Sequence, residues 1–276
     1  QFSMIPMNYK HKNDTADYVT TGSWSAKAFD EASKIFNPNE IFRSDKNVCT
    51  KAPNIEELEL SKNATYLHYC PNETIQGVAI HEIPKIDIPL IADMSSVILS
   101  QPLDVSKFSI IYAGAQKNIG PAGLTIVIIN KEFMQMGNEN LPNILKYSEH
   151  SKSNSMLNTP PTFSWYLAGK VFKWMIKLGG LDYFEEQNKL KASLLYDFID
   201  NSDFYINPID TSCRSIMNVP FVLENSMLEK KFISEASDNG FLNLKGHRLV
   251  GGMRASIYNA MPLEGVKELI KFMDYF

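Results

Sequence analysis

Short apolar runs alternate with longer segments of helical spacing along the chain. Thr15–Ser23, Thr65–Cys70, Ile86–Ile91, Ser109–Tyr112 and Leu124–Ile129 hold β-prone or apolar runs that predict strands, several ending in polar or small-residue turns. Gln1–Asn8 also reads as the interior of a strand. Ser25–Ile35 places Ala26, Phe29, Ala32 and Ser33 on one side and predicts a helix. Phe163–Leu178 is helical and apolar, with Gly179-Gly180 as its stop. Leu181–Ile199 continues helically, with Leu190, Leu194, Leu195, Phe198 and Ile199 as one stripe. Phe36–Pro53 and Phe133–Ser155 read as polar, irregular excursions.

A second unit begins near Asn201. Met217–Leu223 and Leu249–Tyr258 predict strands, and Leu228–Asp238 a helix stopped by Asn239-Gly240. Leu263–Phe276 predicts a final helix with Val266, Leu269, Ile270 and Met273 inward. This is an α/β chain with two units: a large one over 1–180, then a linker helix and small C-terminal α/β unit over 181–276.

Length and composition narrow the classes further. With 276 residues and 44% hydrophobic content the chain can bury a large core. No apolar run approaches a membrane span, and no signal-peptide pattern is visible. A net charge of −4 gives no general attraction to nucleic acid or anionic membrane. Cys49, Cys70 and Cys213 are widely spaced without a CxxC, which suits reduced thiols in a cytoplasmic protein. No histidine spacing suggests a metal site or a triad: His11, His81 and His150 receive no role, and His68 reads as packed. Arginine is scarce, only Arg43, Arg214, Arg248 and Arg254 among 27 basic residues, yet two of the four lie within seven residues of each other in a glycine-rich stretch. A guanidinium fork binds carboxylate or phosphate bidentately, which an ammonium cannot.

Candidate chemistry concentrates at Ile110–Gly123. A β-prone run leads into Ala113-Gly114-Ala115, then Gln116, Lys117, and a Gly120-Pro121-Ala122-Gly123 turn. A lysine on a tight small-residue loop between two buried strands is partly desolvated, which lowers its pKa and prepares the amine to attach to an aldehyde. A solvated loop lysine is the commoner reading of any isolated lysine. Asp93, at the carboxyl end of the preceding strand, changes that balance. A lysine that holds an aldehyde and a carboxylate that pairs with a ring nitrogen together suggest pyridoxal 5'-phosphate.

Ala92–Ser96, Tyr112–Pro121, Asn158–Thr162 and Gly246–Ser256 resemble, in order and along the whole chain, the phosphoserine aminotransferase family of class V aminotransferases. The resemblance implies the type I pyridoxal-phosphate transferase fold, with a large mixed sheet of the seven-stranded type and a small C-terminal domain. It implies a homodimer with shared active sites, acting on glutamate and 3-phosphohydroxypyruvate to give phosphoserine and 2-oxoglutarate. By the same resemblance Lys117 holds the cofactor and moves the proton, and Asp93 stabilises the protonated ring. Trp24 stacks on that ring, although a tryptophan at a helix start is more often core. Thr74 hydrogen-bonds the cofactor, and Gln116, Asn158 and Thr159 surround its phosphate, the last two in the partner's site. Arg254 grips the substrate α-carboxylate, while His247 and Arg248 meet the phosphate or the glutamate side chain. In the family a glycine-rich segment precedes the point matching Gln1, so the chain reads as truncated or divided there.

Two rivals stand beside this reading. A serine–glyoxylate type of class V aminotransferase would not need the anion site of His247 and Arg248. A non-catalytic phosphometabolite-binding chain is the other. Use of a related oxo acid in pyridoxine biosynthesis is left open.

Overall fold

The structure, a computed structural model, describes residues 1–10, 14–44 and 49–276, so that His11 lies outside the described residues. In chain order the elements are α1 (Met4–Tyr9), β1 (Thr15–Thr20), α2 (Ser23–Ser33), β2 (Asn39–Arg43), β3 (Ala64–Tyr69) and a hairpin of β4 (Asn72–Glu73) and β5 (Val78–Ala79). Next come β6 (Leu90–Asp93), β7 (Ile110–Gly114), β8 (Thr125–Ile129), α3 (Lys131–Gln135), α4 (Tyr147–Lys152), α5 (Thr162–Lys177) and α6 (Gly180–Asp200). The last are β9 (Tyr205–Ile206), β10 (Asn218–Leu223), α7 (Glu229–Asp238), β11 (Met253–Ser256) and α8 (Leu263–Tyr275).

The main sheet runs β2-β1-β3-β6-β7-β8, parallel except for β8, which lies antiparallel to β7. It is mixed, as expected, with six strands among the described residues rather than seven. Side chains alternate across it with the strand period of two. Leu67, Tyr69, Leu90, Ala92, Ile111 and Ala113 pack one face together with Ala168 of α5. Tyr66, Ile91, Ile110 and Tyr112 pack the other, covered by Ile5 and Tyr9 of α1, Ala28 and Ala32 of α2, and Phe133 and Tyr147. Cover on both faces explains why the central strands read as continuous apolar runs. β8, expected to be buried, is a half-exposed edge strand.

Three expectations change here. Gln1–Asn8 holds a helix, not a strand: Ile5 and Tyr9, four residues apart, bury the same face, and Pro6 sits in the first turn where no N–H is required. The polar stretch 36–53 contains edge strand β2, and 133–155 contains α4, whose Tyr147 reaches the core. The strand expected over Leu249–Tyr258 starts only at Met253, because Gly251 and Gly252 take φ of +71° and +58°.

The C-terminal unit is a three-stranded antiparallel sheet, β11-β10-β9, packed with α7 and α8. Val219, Phe221, Leu223, Phe232, Val266, Leu269 and Met273 form its core, joined by Ala192, Leu195, Tyr196 and Ile199 of α6. The inward face of α6 therefore passes through Phe184, Asn188, Lys191, Leu195 and Ile199. Leu190, expected in that stripe, is exposed, and Lys191 is buried in its place.

Candidate active site

β6 and β7 lie side by side in register, Asp93 opposite Tyr112, so both carboxyl ends open at the same rim of the sheet. Five residues beyond Tyr112 stands Lys117. The loop that carries it is closed on itself, Gly120 N–H donating to Ala115 O at 2.7 Å. Gly114 N–H donates to Ser95 Oγ at 3.1 Å, and a Cβ on Gly114 would lie 2.5 Å from Gln116 Oε1. The missing side chain is therefore the space in which Gln116 folds back.

Lys117 Nζ donates to Thr74 Oγ1 at 2.6 Å. Near Thr74 stands the Tyr258 phenol, which Asn218 Nδ2 meets at 3.0 Å. Burial lowers the Lys117 pKa, the charge of Arg254 adds to that, and Cys70, Asp93 and Glu73 oppose it. Burial likewise raises the Asp93 carboxyl above its usual range, against two hydrogen bonds from Ser95, at 2.6 and 3.0 Å, and the charge of Lys117. Both Ser95 bonds fall on Oδ1, which leaves Oδ2 without a hydrogen bond among the described residues.

Trp24 forms the third wall, its ring centroid 6.0 Å from Lys117 Nζ. The β4–β5 hairpin holds it in place. Glu73 is fully buried and accepts from Trp24 N at 3.0 Å, Ser25 N at 2.8 Å and Ser25 Oγ at 2.6 Å. Gln76 Oε1 accepts from Ser23 N at 3.2 Å. The first N–H groups of α2, which lack intrahelical partners, are thus satisfied by side chains of another element. Gly22 is obligatory here, since a Cβ would sit 2.6 Å from Glu73 Cγ and Cδ.

Trp24, Thr74, Asp93, Gln116 and Lys117 line one cavity of about 200 Å³, with Ser95, Ser96 and Tyr112. Asn158 and Thr159 are exposed and line a neighbouring cavity of about 650 Å³ with Tyr147, His150 and Trp165. The two cavities share Gln1 and Thr125 as walls.

A family model of class-V aminotransferases matches residues 1–269. The phosphoserine aminotransferase of Acinetobacter baylyi is 55% identical over 279 residues, covering 100% of this chain and 77% of its own length. The chain belongs to the phosphoserine aminotransferases. Among solved structures of this family, that from Bacillus circulans subsp. alkalophilus matches with a TM-score of 0.97 at 45% identity, covering 100% of this chain and 77% of its own. The pyridoxal-phosphate-bound enzyme from Trichomonas vaginalis matches with a TM-score of 0.94 at 39% identity, over 99% of this chain and 79% of that one.

The phosphoserine aminotransferase fold thus gathers five of the sequence-predicted residues around one cavity. Arg254 stands on β11, its charge reaching Lys117 and Tyr258, with its Nε buried and unpartnered among the described residues. His247 and Arg248 lie in the turn before β11; Arg248 is exposed, and His247 Nδ1 accepts from Leu249 N–H at 3.3 Å. The structure does not bring Asn158 or Thr159 to the Lys117 of the same chain. His68 is packed, as expected, with Nε2 2.8 Å from Tyr112 Oη. Glu73, Ser95, Asn218 and Tyr258 receive no role from the sequence. For Glu73 the nearest signal was its position beside Thr74, after the strand end.

Proposed function

We propose that this phosphoserine aminotransferase moves the amino group of glutamate to 3-phosphohydroxypyruvate, giving phosphoserine and 2-oxoglutarate, on pyridoxal 5'-phosphate held at Lys117. One observation carries the reading: a desolvated lysine, a buried carboxylate with one free oxygen and a tryptophan face wall a single cavity at the rim of the sheet. That donor set fits the cofactor. Asp93 Oδ2 can accept from a protonated ring nitrogen, Trp24 offers a flat apolar cover, and Lys117 offers the amine for the aldehyde. When bound, the cofactor supplies the aldehyde carbon that carries the amino group and a ring that accepts the electron pair.

This chain's residues do the rest. Lys117 Nζ, once freed by the donor amine, would take the proton from the substrate α-carbon and deliver it to the carbon that had carried the cofactor aldehyde. Thr74 orients that amine, its hydroxyl oxygen accepting from Lys117 Nζ. Asp93 stays ionised against its burial by pairing with the ring's positive charge. Arg254 binds the α-carboxylate; the unpartnered Nε supports that role. His247 and Arg248 meet the substrate phosphate or the glutamate side chain, and Gln116 meets the cofactor phosphate.

Asn158 and Thr159 serve the cofactor of a partner subunit in a homodimer. Support comes from their exposure and from the start of α5 just beyond them, where Phe163, Trp165 and Tyr166 are exposed together. The units 1–180 and 181–276 are taken as large domain and linker-plus-small domain, consistent with separate cores. A cytoplasmic setting fits three buried, unpaired cysteines, and no helix among the described residues is long and apolar enough to cross a membrane.

The test loads the protein with pyridoxal phosphate and looks for a visible absorption band. Borohydride should bleach the band and fix the cofactor on Lys117, found by peptide mass. Glutamate with 3-phosphohydroxypyruvate should then turn over, and glyoxylate should not replace the phosphorylated acceptor. Label on another lysine, or equal use of glyoxylate, would refute the assignment.

A further inference from the structure

Lys191 is a buried lysine with no acid beside it. It lies on the inward face of α6, 1% exposed, and no carboxylate among the described residues pairs with it. Its Nζ instead donates to three backbone carbonyls, Ile257 O at 3.0 Å, Tyr258 O at 2.9 Å and Met261 O at 3.0 Å. Burial pushes its pKa down to about 8. A buried ammonium is costly, and an apolar side chain would fill the space more cheaply. All three of its donors are used on one loop.

That loop, residues 257–261, leads out of β11 and meets the lysine loop at Asn118. The Tyr258 phenol stands near Thr74, the partner of Lys117. Asn259 N–H donates to Oδ1 of Asn118, the residue after Lys117, at 3.0 Å. Asn188, one turn before Lys191 on α6, reinforces the seat by donating to Asn259 Oδ1 at 2.8 Å and to Ser100 O at 3.0 Å. The hydrogen-bonded path from α6 to the lysine loop is therefore Lys191, the backbone of the 257–261 loop, Asn259 and Asn118, next to Lys117.

We propose that Lys191 is a positioning residue for amino transfer, which holds Asn259 against Asn118 and keeps the Tyr258 phenol in place near Thr74, and so fixes the loop that carries the Lys117 amine. The inference rests on the reading of Lys117 given above. β11 keeps its own ladder to β10, with Arg254 opposite Pro220, so the carboxylate grip does not depend on the Lys191 contacts. Loss of Lys191 should therefore act on turnover more than on substrate binding.

Lys191→Met, which keeps the length of the side chain but removes the donors, is compared with Tyr258→Phe and with the double variant. In folded Lys191→Met protein, checked by thermal unfolding, kcat should fall about 10- to 100-fold, with KM for the phosphorylated oxo acid nearly unchanged. The double variant should be no worse than the poorer single, because both act on one loop. A second readout needs no turnover: in protein freed of pyridoxal phosphate, whose aldehyde would otherwise block the amine, trinitrobenzenesulfonate should modify Lys117 several times faster once the loop is released, followed by peptide mapping. A kcat within about twofold of the parent, or an unchanged Lys117 modification rate, would overturn the proposal. If Lys191→Met does not fold, Asn118→Ala removes the acceptor of the Asn259 N–H, and an unchanged Lys117 modification rate there overturns it equally. Should the parent show no amino transfer, the functional reading fails by itself and the modification rate alone decides the role of Lys191.

Discussion

Arg43 and Arg214 are tied to carboxylates, Arg43 Nε to Glu40 at 2.5 Å and Arg214 to Asp200 at 2.6 and 2.9 Å. Arg248 and Arg254 have no such partner among the described residues, and they are the pair within seven residues of each other. A buried guanidinium N–H without an acceptor is destabilising unless a ligand supplies one. Arg254→Lys should therefore not be conservative. Losing a bidentate, charge-assisted contact of roughly 1.5–3 kcal/mol should lower kcat/KM about 10- to 150-fold for both substrates, while an unchanged value would remove Arg254 from the site. His68 supplies a different kind of test. Burial depresses its pKa from 6.5 to about 3. The folded chain thus refuses a proton that the unfolded chain accepts. Its contribution to stability is present above pH 6.5 and is lost as pH falls from 6.5 toward 3, with a limiting slope of about 1.4 kcal/mol per pH unit. Urea midpoints measured across that window should fall less steeply in His68→Gln than in the parent; parallel slopes would show that His68 titrates normally.

At the scale of elements, the β4–β5 hairpin and the start of α2 act as one part. Glu73→Ala should strip three donors of their acceptor and destabilise the protein by about 1–3 kcal/mol in urea unfolding. Glu73→Gln, which keeps one acceptor oxygen, should recover part of that loss. Equal stability of Glu73→Ala and parent would mean that the hairpin does not set the position of Trp24. This clamp also shows where sequence reading stops. Asp93 and Lys117 were legible because each ends a short apolar run at the same rim, and the small residues around Lys117 announce a close approach. Glu73 was not, because its partners lie 48 and 49 residues away and no local pattern marks a helix capped by another element's side chain. The failures of fold have similar causes. Gln1–Asn8 is too short for a period of two to be told from one of 3.6, and only the joint burial of Ile5 and Tyr9 decides for a helix. Leu190 and Lys191 exchange places because the loop 257–261 presents carbonyls to α6, a demand set by residues far along the chain.

For the whole molecule, the division of the site between subunits is the largest claim to test. Lys117 and the Asn158-Thr159 segment face different cavities of one chain, and Pro160-Pro161 stiffens the segment just before the exposed aromatic start of α5. A site shared across a twofold axis would bring the two together from different chains. Lys117→Ala and an Asn158→Ala/Thr159→Ala double variant should each be dead or weak alone. If the segment works in trans, a mixed dimer holds one ruined site, carrying both defects, and one site with neither. Random pairing makes about half of the dimers mixed, so about a quarter of all sites should regain activity when the two variants are unfolded and refolded together. If the segment works within its own chain, both sites of the mixed dimer stay damaged. Subunit exchange is followed independently by mass-labelling one variant. Recovered activity near a quarter of the parent would establish the shared site, and none above the sum of the separate variants, with exchange complete, would refute it.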